Sequence, residues 1–580
     1  MGALIERLAW QDVLFAPRLR RTQLAGLVPS WECRSIRLHI VRNEPFELVG
    51  AALPAFLAYA GLRAELSYGP YDDSLSDPGA GTGERCDAVI VWLAMDRYDE
   101  QLPPDQLARF VAGRVAVLRR RSESPVLVAN WAASHDRAAA YNAVLAGLLG
   151  ELPGVHLCDQ AALAGRLGED YDDARLASLG GSRLSDRGCL ETARQFGLVW
   201  LPSVLVPPIK AVVVDLDQTL YRGILSEDGA AGIEITGAHL DLQRELLSCR
   251  ARGVYLAIAS KNDPEEVDAL FEARRDLVLR PEHLSAAAVG WGSKADSVAL
   301  IAERLHIGLD ALLLLDDNAA ELAEVSHAHP GVQVVLAADA DSAAAVLRRF
   351  PGLLSFTVSE TARRRIADLA AAERREEARA GASGDDDYLE SLDMRLHLAV
   401  DPPGAIDRLH ELSNRVNQFN TGLLRLSEAQ VAAYVNRADR CAVTVALRDA
   451  FSDSGIVAGL FARKDGDAVV VDEIDISCRA LGRRLEPVIV AEAVLRAAGT
   501  LVGQGRDCPL DTYEVRLGFR AGPRNGAARD CLVALCGELA PEEGVISWQV
   551  SIELVESLRR SVPVEVRDSA PTAELSGRGT

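Results

Sequence analysis

Ala211-Val212-Val213-Val214-Asp215-Leu216-Asp217-Gln218-Thr219-Leu220-Tyr221 is an apolar run that ends in two carboxylates two residues apart. Strand side chains alternate between faces, so Asp215 and Asp217 leave such a strand on the same side. At the C-terminal end of a parallel strand they enter the crevice in which open α/β sheets bind ligands. Two convergent carboxylates repel each other unless a cation sits between them, and a hard oxygen environment suits Mg2+. Alone, the pair is also what a solvated strand end looks like, and the neighbouring segments decide between the two readings.

Those segments repeat the pattern. Val254-Tyr-Leu-Ala-Ile-Ala-Ser260-Lys261-Asn262 is a second apolar run, ending in a hydroxyl, and Leu312-Leu-Leu-Leu-Asp316-Asp317-Asn318 is a third, ending in another carboxylate pair. Between them, helical periodicity covers Pro264–Arg274 and Lys294–Leu305, with Lys294 opening the second of these helices. Strands at 211–215, 254–259 and 311–315 alternating with helices predict a parallel sheet. The order Asp, Ser, Lys, Asp-Asp resembles the four-motif signature of the haloacid dehalogenase (HAD) superfamily. That resemblance implies Asp215 as nucleophile or metal ligand and Asp217 as proton donor to the leaving group. It further implies phosphate binding by Thr219, Ser260 and Lys294, and Mg2+ ligation by Asp215, Asp217, Asp316 and Asp317.

Composition narrows the remaining classes. The chain has 580 residues, 49% hydrophobic and 25% charged, with a net charge of −22 and no Lys/Arg-rich block. Its length sets three or four domains as the prior, and its charge argues against nucleic-acid binding. No uninterrupted apolar stretch reaches the roughly 18–20 residues of a membrane helix. Met1–Arg7 lacks a charged region followed by an apolar core, so no signal peptide and a cytoplasmic location are the expectation. Only Lys210, Lys261, Lys294 and Lys464 are lysines; the other 58 of the 62 basic residues are arginines. Lysine retained against that bias marks places where a compact ammonium is needed, Lys294 above all. The ten cysteines show no C-x-x-C pair and no zinc spacing.

The predicted fold class is α/β and multidomain. Residues 1–205 form one α/β unit, with strands expected at 36–41, 88–92, 115–118 and 125–128 and a loop over 70–84. Residues 206–356 form the second unit, 357–387 a helical connector and hinge, 388–562 a third unit and 563–580 a disordered tail.

A narrower resemblance covers nearly the whole chain. Asp215-Leu-Asp-Gln-Thr-Leu-Tyr-Arg-Gly223-Ile-Leu-Ser-Glu227-Asp228-Gly229 is similar to the corresponding stretch of FkbH-like proteins (HAD subfamily IIIC). Ala259–Asn262, Asp316–Glu321, Asn417-Gln-Phe-Asn420, Phe451–Gly455 and Ser477-Cys478-Arg479-Ala-Leu-Gly482-Arg483 also match. The resemblance implies an SGNH-like N-domain, a Rossmann-like HAD domain and a GNAT-like C-domain. It further implies a substrate, 1,3-bisphosphoglycerate, whose glyceryl group is loaded with loss of phosphate onto the phosphopantetheine arm of an acyl carrier protein. Such units feed polyketide assembly as methoxymalonyl-type building blocks. Gln218, Tyr221, Arg222 and Ser226 depart from the family pattern, and Arg222 either contacts a phosphate or stiffens the flap over the site. A plain HAD phosphatase acting on a small phosphorylated metabolite, with the C-domain only binding, is the alternative.

In the third unit, Cys478 lies close in sequence to Arg479, Arg483 and Arg484, and neighbouring positive charge promotes a thiolate. Cys478 is thus either an acyl-carrying nucleophile or a structural thiol. Its imidazole partner, if it has one in this unit, is His397 or His410. Asn417, Asn420, Arg479, Gly482 and Arg483 are the expected acyl- and carrier-binding residues, although Asn417-Gln-Phe-Asn420 also suits a helix cap. An acidic carrier requires a local basic patch, which the three arginines would supply. In the first unit, Arg42-Asn43-Glu44 follows a strand without a serine nucleophile, and Asp159-Gln-Ala-Ala lacks the histidine of an SGNH hydrolase. That unit is expected to be non-hydrolytic.

Overall fold

Short runs of Val, Ile, Leu and Ala bounded by Gly, Pro and Asp build two five-stranded parallel sheets. The computed structural model describes residues 2–70, 86–98, 100–133, 135–173, 175, 181–356, 360–466, 468–502, 512–522, 524–537 and 543–568. The first sheet comprises β1 (Arg34–Arg42), β2 (Leu62–Tyr68), β3 (Ala88–Trp92), β4 (Val126–Ala129) and β5 (Val155–Cys158), in the order β2-β1-β3-β4-β5. Every residue of β3 is buried, as expected of a central strand covered on both faces. Edge strand β2 alternates in exposure. The strand expected at 115–118 lies instead inside the Pro104–Arg121 helix, where Leu107, Val111, Val115 and Leu118 bury one helical face. Strands β2 and β5 had no sequence expectation. The loop expected over 70–84 falls, after Pro70, outside the described residues.

The second sheet comprises β6 (Ala211–Val214), β7 (Tyr255–Ser260), β8 (Ala286–Val289), β9 (Leu312–Asp316) and β10 (Gln333–Leu336), all parallel, in the order β10-β9-β6-β7-β8. Strands β6, β7 and β9 are wholly buried. The boundary expected at residue 205 separates the two sheets but does not separate their cores. Both belong to one compact unit, Met1–Val358, with a continuous apolar cluster. Across the seam, Gln11 Oε1 accepts from the Leu336 N–H at 3.2 Å, and Tyr59 packs edge-on to Phe350.

The second compact unit, Ser359–Thr580, holds a mixed seven-stranded sheet. Its strands are β11 (Met394–Val400), β12 (Arg440–Arg448), β13 (Asp453–Asp465), β14 (Ala468–Ile476), β15 (Thr512–Arg520), β16 (Glu543–Ser551) and β17 (Val564–Asp568), in the order β16-β15-β14-β13-β12-β11-β17. The Glu486–Val502 helix buries Val488, Ile489, Val490 and Ala491 in this unit's core. The expected connector forms the Glu360–Gly381 helix and packs within this unit: buried Arg375 donates to Asp449 at 2.8 and 3.2 Å. The expected hinge is helical from Asp385 to Ser391. Part of the expected tail is ordered, because β17 pairs in parallel with β11; residues 569–580 lie outside the described set.

Gly352 combines φ +80° with a backbone approach in which an added Cβ would stand 2.7 Å from Pro207 O. Gly352→Ala is expected to lower the stability of the full chain by about 2 kcal/mol or more, from left-handed strain plus displacement of the Pro207 segment. Denaturant titration checks this; an unchanged midpoint would show that the Pro207 segment tolerates the shift.

Candidate active site

Val214 of β6 sits opposite Leu315 of β9, so Asp215 and Asp316 emerge side by side from neighbouring strands. Connectivity reverses direction between these two strands, which is where a parallel sheet opens a crevice. Lys294 reaches the same place from the first turn of the Lys294–Arg304 helix, whose N-cap Ser293 accepts from the Asp296 N–H at 3.0 Å. Lys294 Nζ lies 2.6 Å from Asp215 Oδ1 and 2.9 Å from Asp316 Oδ2, and it donates to Ala259 O at 2.9 Å.

All three side chains are buried, with exposures of 7% for Asp215, 1% for Asp316 and 4% for Lys294. Burial disfavours each charge, and the partners then decide its state. Burial lowers the Lys294 pKa, but the Asp215 and Asp316 carboxylates outweigh it and hold the ammonium above its ordinary range. Burial pushes the Asp215 carboxyl up, Lys294 opposes it, and the nearby Asp316 and Asp217 charges push it further. Asp317 is raised by burial and by Asp316.

Asp215, Asp316 and Asp317 each offer an oxygen within 4.8 Å of the others, a group that can hold a metal ion. One ammonium against three carboxylates leaves an excess of negative charge at this place. The buried Thr219 Oγ1 and Asn262 Oδ1 also lack hydrogen-bond partners. An all-oxygen, charge-deficient set of this kind fits a hard divalent cation such as Mg2+.

Asp217, expected as a fourth ligand, lies outside that group and is held separately. Its Oδ1 accepts from Tyr221 Oη at 2.7 Å and from the Leu225 N–H at 3.1 Å, while Oδ2 accepts from Asn262 Nδ2 at 3.0 Å. Asn262 Nδ2 also reaches Ser260 Oγ at 3.0 Å, tying the hydroxyl of β7 to the carboxylate of the neighbouring loop. Tyr221 and Asn262 as anchors of Asp217 escaped the sequence reading, in which Tyr221 figured only as a departure from the family pattern. Arg222 pairs with Glu234 at 3.1 Å on the surface, and the two backbones exchange both hydrogen bonds. It therefore stiffens the flap. Lys261 pairs with Glu321 at 2.6 Å, and the Lys210 N–H donates to Ala311 O at 2.8 Å.

In the second unit, Cys478 is exposed in the turn after β14, and no described side chain hydrogen-bonds its thiol. His410 directs Nδ1 at Leu426 O, 2.8 Å away. The expected basic patch is already neutralised. Arg479 pairs with Asp368, Arg484 with Asp385 and Asp386, and Arg483, 5% exposed, with Asp449 at 2.7 Å. The Gly482 N–H donates to Glu486 Oε1 at 2.9 Å. Asn417 Oδ1 accepts from Arg425 Nη2 at 2.8 Å, and buried Asn420 donates to Val416 O at 2.8 Å.

Two buried acids lie just before Cys478. Glu473 is fully satisfied by Thr421, Gly422 and Leu424, whereas neither oxygen of Asp475 has a partner, although the residue is 0% exposed. Burial and then the Glu473 charge hold the Asp475 carboxyl well above the ordinary value of 3.8, opposed only by Arg425.

No known family profile matches the chain, and no curated protein matches it. Among solved structures, the N-terminal part of the protein BF1531 from Bacteroides fragilis, containing a phosphatase domain complexed with Mg, is similar over 56% of this chain and 95% of its own, at 19% identity and a TM-score of 0.46. Among the described residues, no helix is long and apolar enough to cross a membrane.

Two outcomes are expected. Mg2+ raises the melting temperature of the wild-type protein, and Asp317→Asn shifts the half-saturating Mg2+ concentration upward about tenfold or more, read by thermal melting across a Mg2+ titration. Asp475→Leu stabilises the chain by about 1–3 kcal/mol at neutral pH by removing an unsatisfied buried group. Because the folded-state pKa of Asp475 is raised, the stability tied to its neutral form is present below the unfolded value of 3.8 and lost as pH rises toward the folded one. The gain should therefore be larger at pH 7 than at pH 4; a gain that does not grow with pH would show Asp475 to be solvated.

Proposed function

We propose that the chain is a Mg2+-dependent HAD-type phosphatase and glyceryltransferase, cytoplasmic, with SGNH-like, HAD-like and GNAT-like regions. It removes phosphate from 1,3-bisphosphoglycerate and delivers the glyceryl group to an acyl carrier protein for polyketide assembly. The observation that carries the phosphatase part is the buried Lys294 ammonium gripped by Asp215 and Asp316 on adjacent strand ends, with Asp317 completing a cation-sized carboxylate group.

Two bonds to phosphate have to break in this substrate, and they differ in chemistry. At the phosphoester end, an Asp215 carboxylate oxygen attacks phosphorus, the P–O bond to the C3 oxygen breaks, and Asp217 delivers the proton that the departing oxygen needs. Water then attacks the aspartyl phosphate, Asp217 takes its proton, and phosphate leaves. Lys294 and Ser260 hold the phosphoryl oxygens throughout, and Asn262 and Tyr221 keep Asp217 in place. Mg2+ bound by Asp215, Asp316 and Asp317 would supply further positive charge beside those oxygens. At the acyl phosphate end, the Cys478 thiolate attacks the carbonyl carbon, and the C–O bond to phosphate breaks with the electron pair leaving on phosphate. The resulting thioester exchanges with the thiol of the carrier's phosphopantetheine arm, returning Cys478 to its starting state.

The ion-paired state of Arg479, Arg483 and Arg484, and the absence of a hydrogen-bonded imidazole at Cys478 among the described residues, favour a second reading: a plain phosphatase whose C-terminal unit only binds. Intact-protein mass after exposure to Mg2+ and 1,3-bisphosphoglycerate made in situ separates the two. The first reading expects a hydroxylamine-labile glyceryl adduct, lost in Cys478→Ala, and phosphate release reduced at least a hundredfold in Asp215→Asn. Phosphate release with no adduct would leave the second reading.

A further inference from the structure

Trp291 is 69% exposed, while the other tryptophans, including Trp10, Trp92, Trp131, Trp200 and Trp548, are buried or half-buried. A single exposed apolar side chain is ordinary in itself, so it is the place of this indole in the fold that is informative. It lies between β8 and the helix that carries Lys294, three residues before that lysine. Ser260 pairs in register with Val289, and the Gly290 N–H donates to Ser260 O at 3.1 Å. The chain thus leaves the sheet at its carboxyl end, beside Ser260 of β7, the strand that neighbours β6. Gly290 and Gly292 flank the tryptophan, and an added Cβ at either would meet nothing within 4 Å. The backbone on either side of the tryptophan is therefore uncrowded, and the described residues leave most of the indole surface in water.

We infer that Trp291 is a specificity-determining residue, whose indole packs on the carbon skeleton of the phosphorylated substrate while Ser260 and Lys294 hold the phosphoryl group. This rests on the phosphatase reading and adds the organic part of the substrate to it. A flat apolar face suits the C–H-rich side of a small organic phosphate, and closing over that face also keeps water from the phosphoryl group. Lys261, the residue after Ser260, is 38% exposed at its side chain and already paired with Glu321.

The test compares wild type, Trp291→Ala and Trp291→Phe with Mg2+ and two substrates, phenyl phosphate and acetyl phosphate. Trp291→Ala is expected to raise KM for phenyl phosphate about tenfold, with kcat reduced less than twofold; KM for acetyl phosphate, which has little skeleton to cover, rises less than threefold, and Phe restores most of the loss. As a readout independent of turnover, iodide quenching of tryptophan fluorescence in Asp215→Asn falls on saturation with phenyl phosphate, and this protection disappears when Trp291→Phe is added. Wild-type turnover with unaltered KM in Trp291→Ala and unaltered quenching overturns the inference alone. A loss seen only in carrier-dependent transfer overturns it in favour of a carrier contact. No phosphate from either compound in the wild type overturns the phosphatase reading and this inference with it.

Discussion

A single buried ammonium organises the candidate site at the carboxyl end of the second sheet. Lys294 holds Asp215 and Asp316 together where two carboxylates on neighbouring strand ends would otherwise repel across a low-dielectric gap. Removing one partner from such a buried arrangement is far costlier than the arrangement's net contribution to stability, since the remaining charges lose their compensation. The strand order puts the two aspartates side by side, the N-cap of the Lys294–Arg304 helix fixes where the lysine enters, and Ala259 O takes a third interaction with the ammonium. The cluster stays short of positive charge even so, which suits it to a divalent cation.

Around that centre the protein separates two kinds of carboxylate by their surroundings. Asp215, Asp316 and Asp317 converge, and Lys294 pairs with the first two. Asp217, two residues along, turns instead to a phenol, a backbone N–H and an amide. The alternation of a strand places Asp215 and Asp217 on one side, but the chain has already left β6 at Val214, so the two side chains need not stay parallel. The flap behind Asp217 is stiffened by the Arg222–Glu234 pairing, which keeps Leu225 and Tyr221 in reach of the carboxylate.

The second compact unit uses its charges differently. Its arginines near Cys478 are spent on Asp368, Asp385, Asp386 and Asp449, and Arg375 of the Glu360–Gly381 helix shares Asp449 with Arg483. This network anchors the helix that sequence reading took for a connector. An arginine-rich turn in the sequence becomes, in three dimensions, a set of structural ion pairs. Asp475 is the exception, a buried carboxyl with no partner, bridged through its backbone to Asn420, whose Oδ1 is also unpaired.

The strand ends of the candidate site were legible because they are local: an apolar run closed by Asp, Ser or Asp-Asp reports both the strand and the chemical group at its tip. Segments without a local signature were misread. Residues 115–118 share their β-branched composition with strands, yet helical spacing over a longer window buries them, and β17 forms only because β11 supplies an edge far away in sequence. The partners of charged groups were equally out of reach, since Arg479 and Asp368 are separated by 111 residues. Sequence alone therefore determined the strand–helix alternation and which chemical groups stand at the strand ends, because both follow from neighbours along the chain. The tertiary structure decided which of those charges meet, which are neutralised, and which groups are left without a partner, because desolvation and Coulomb energy depend on distances in space that no local pattern encodes.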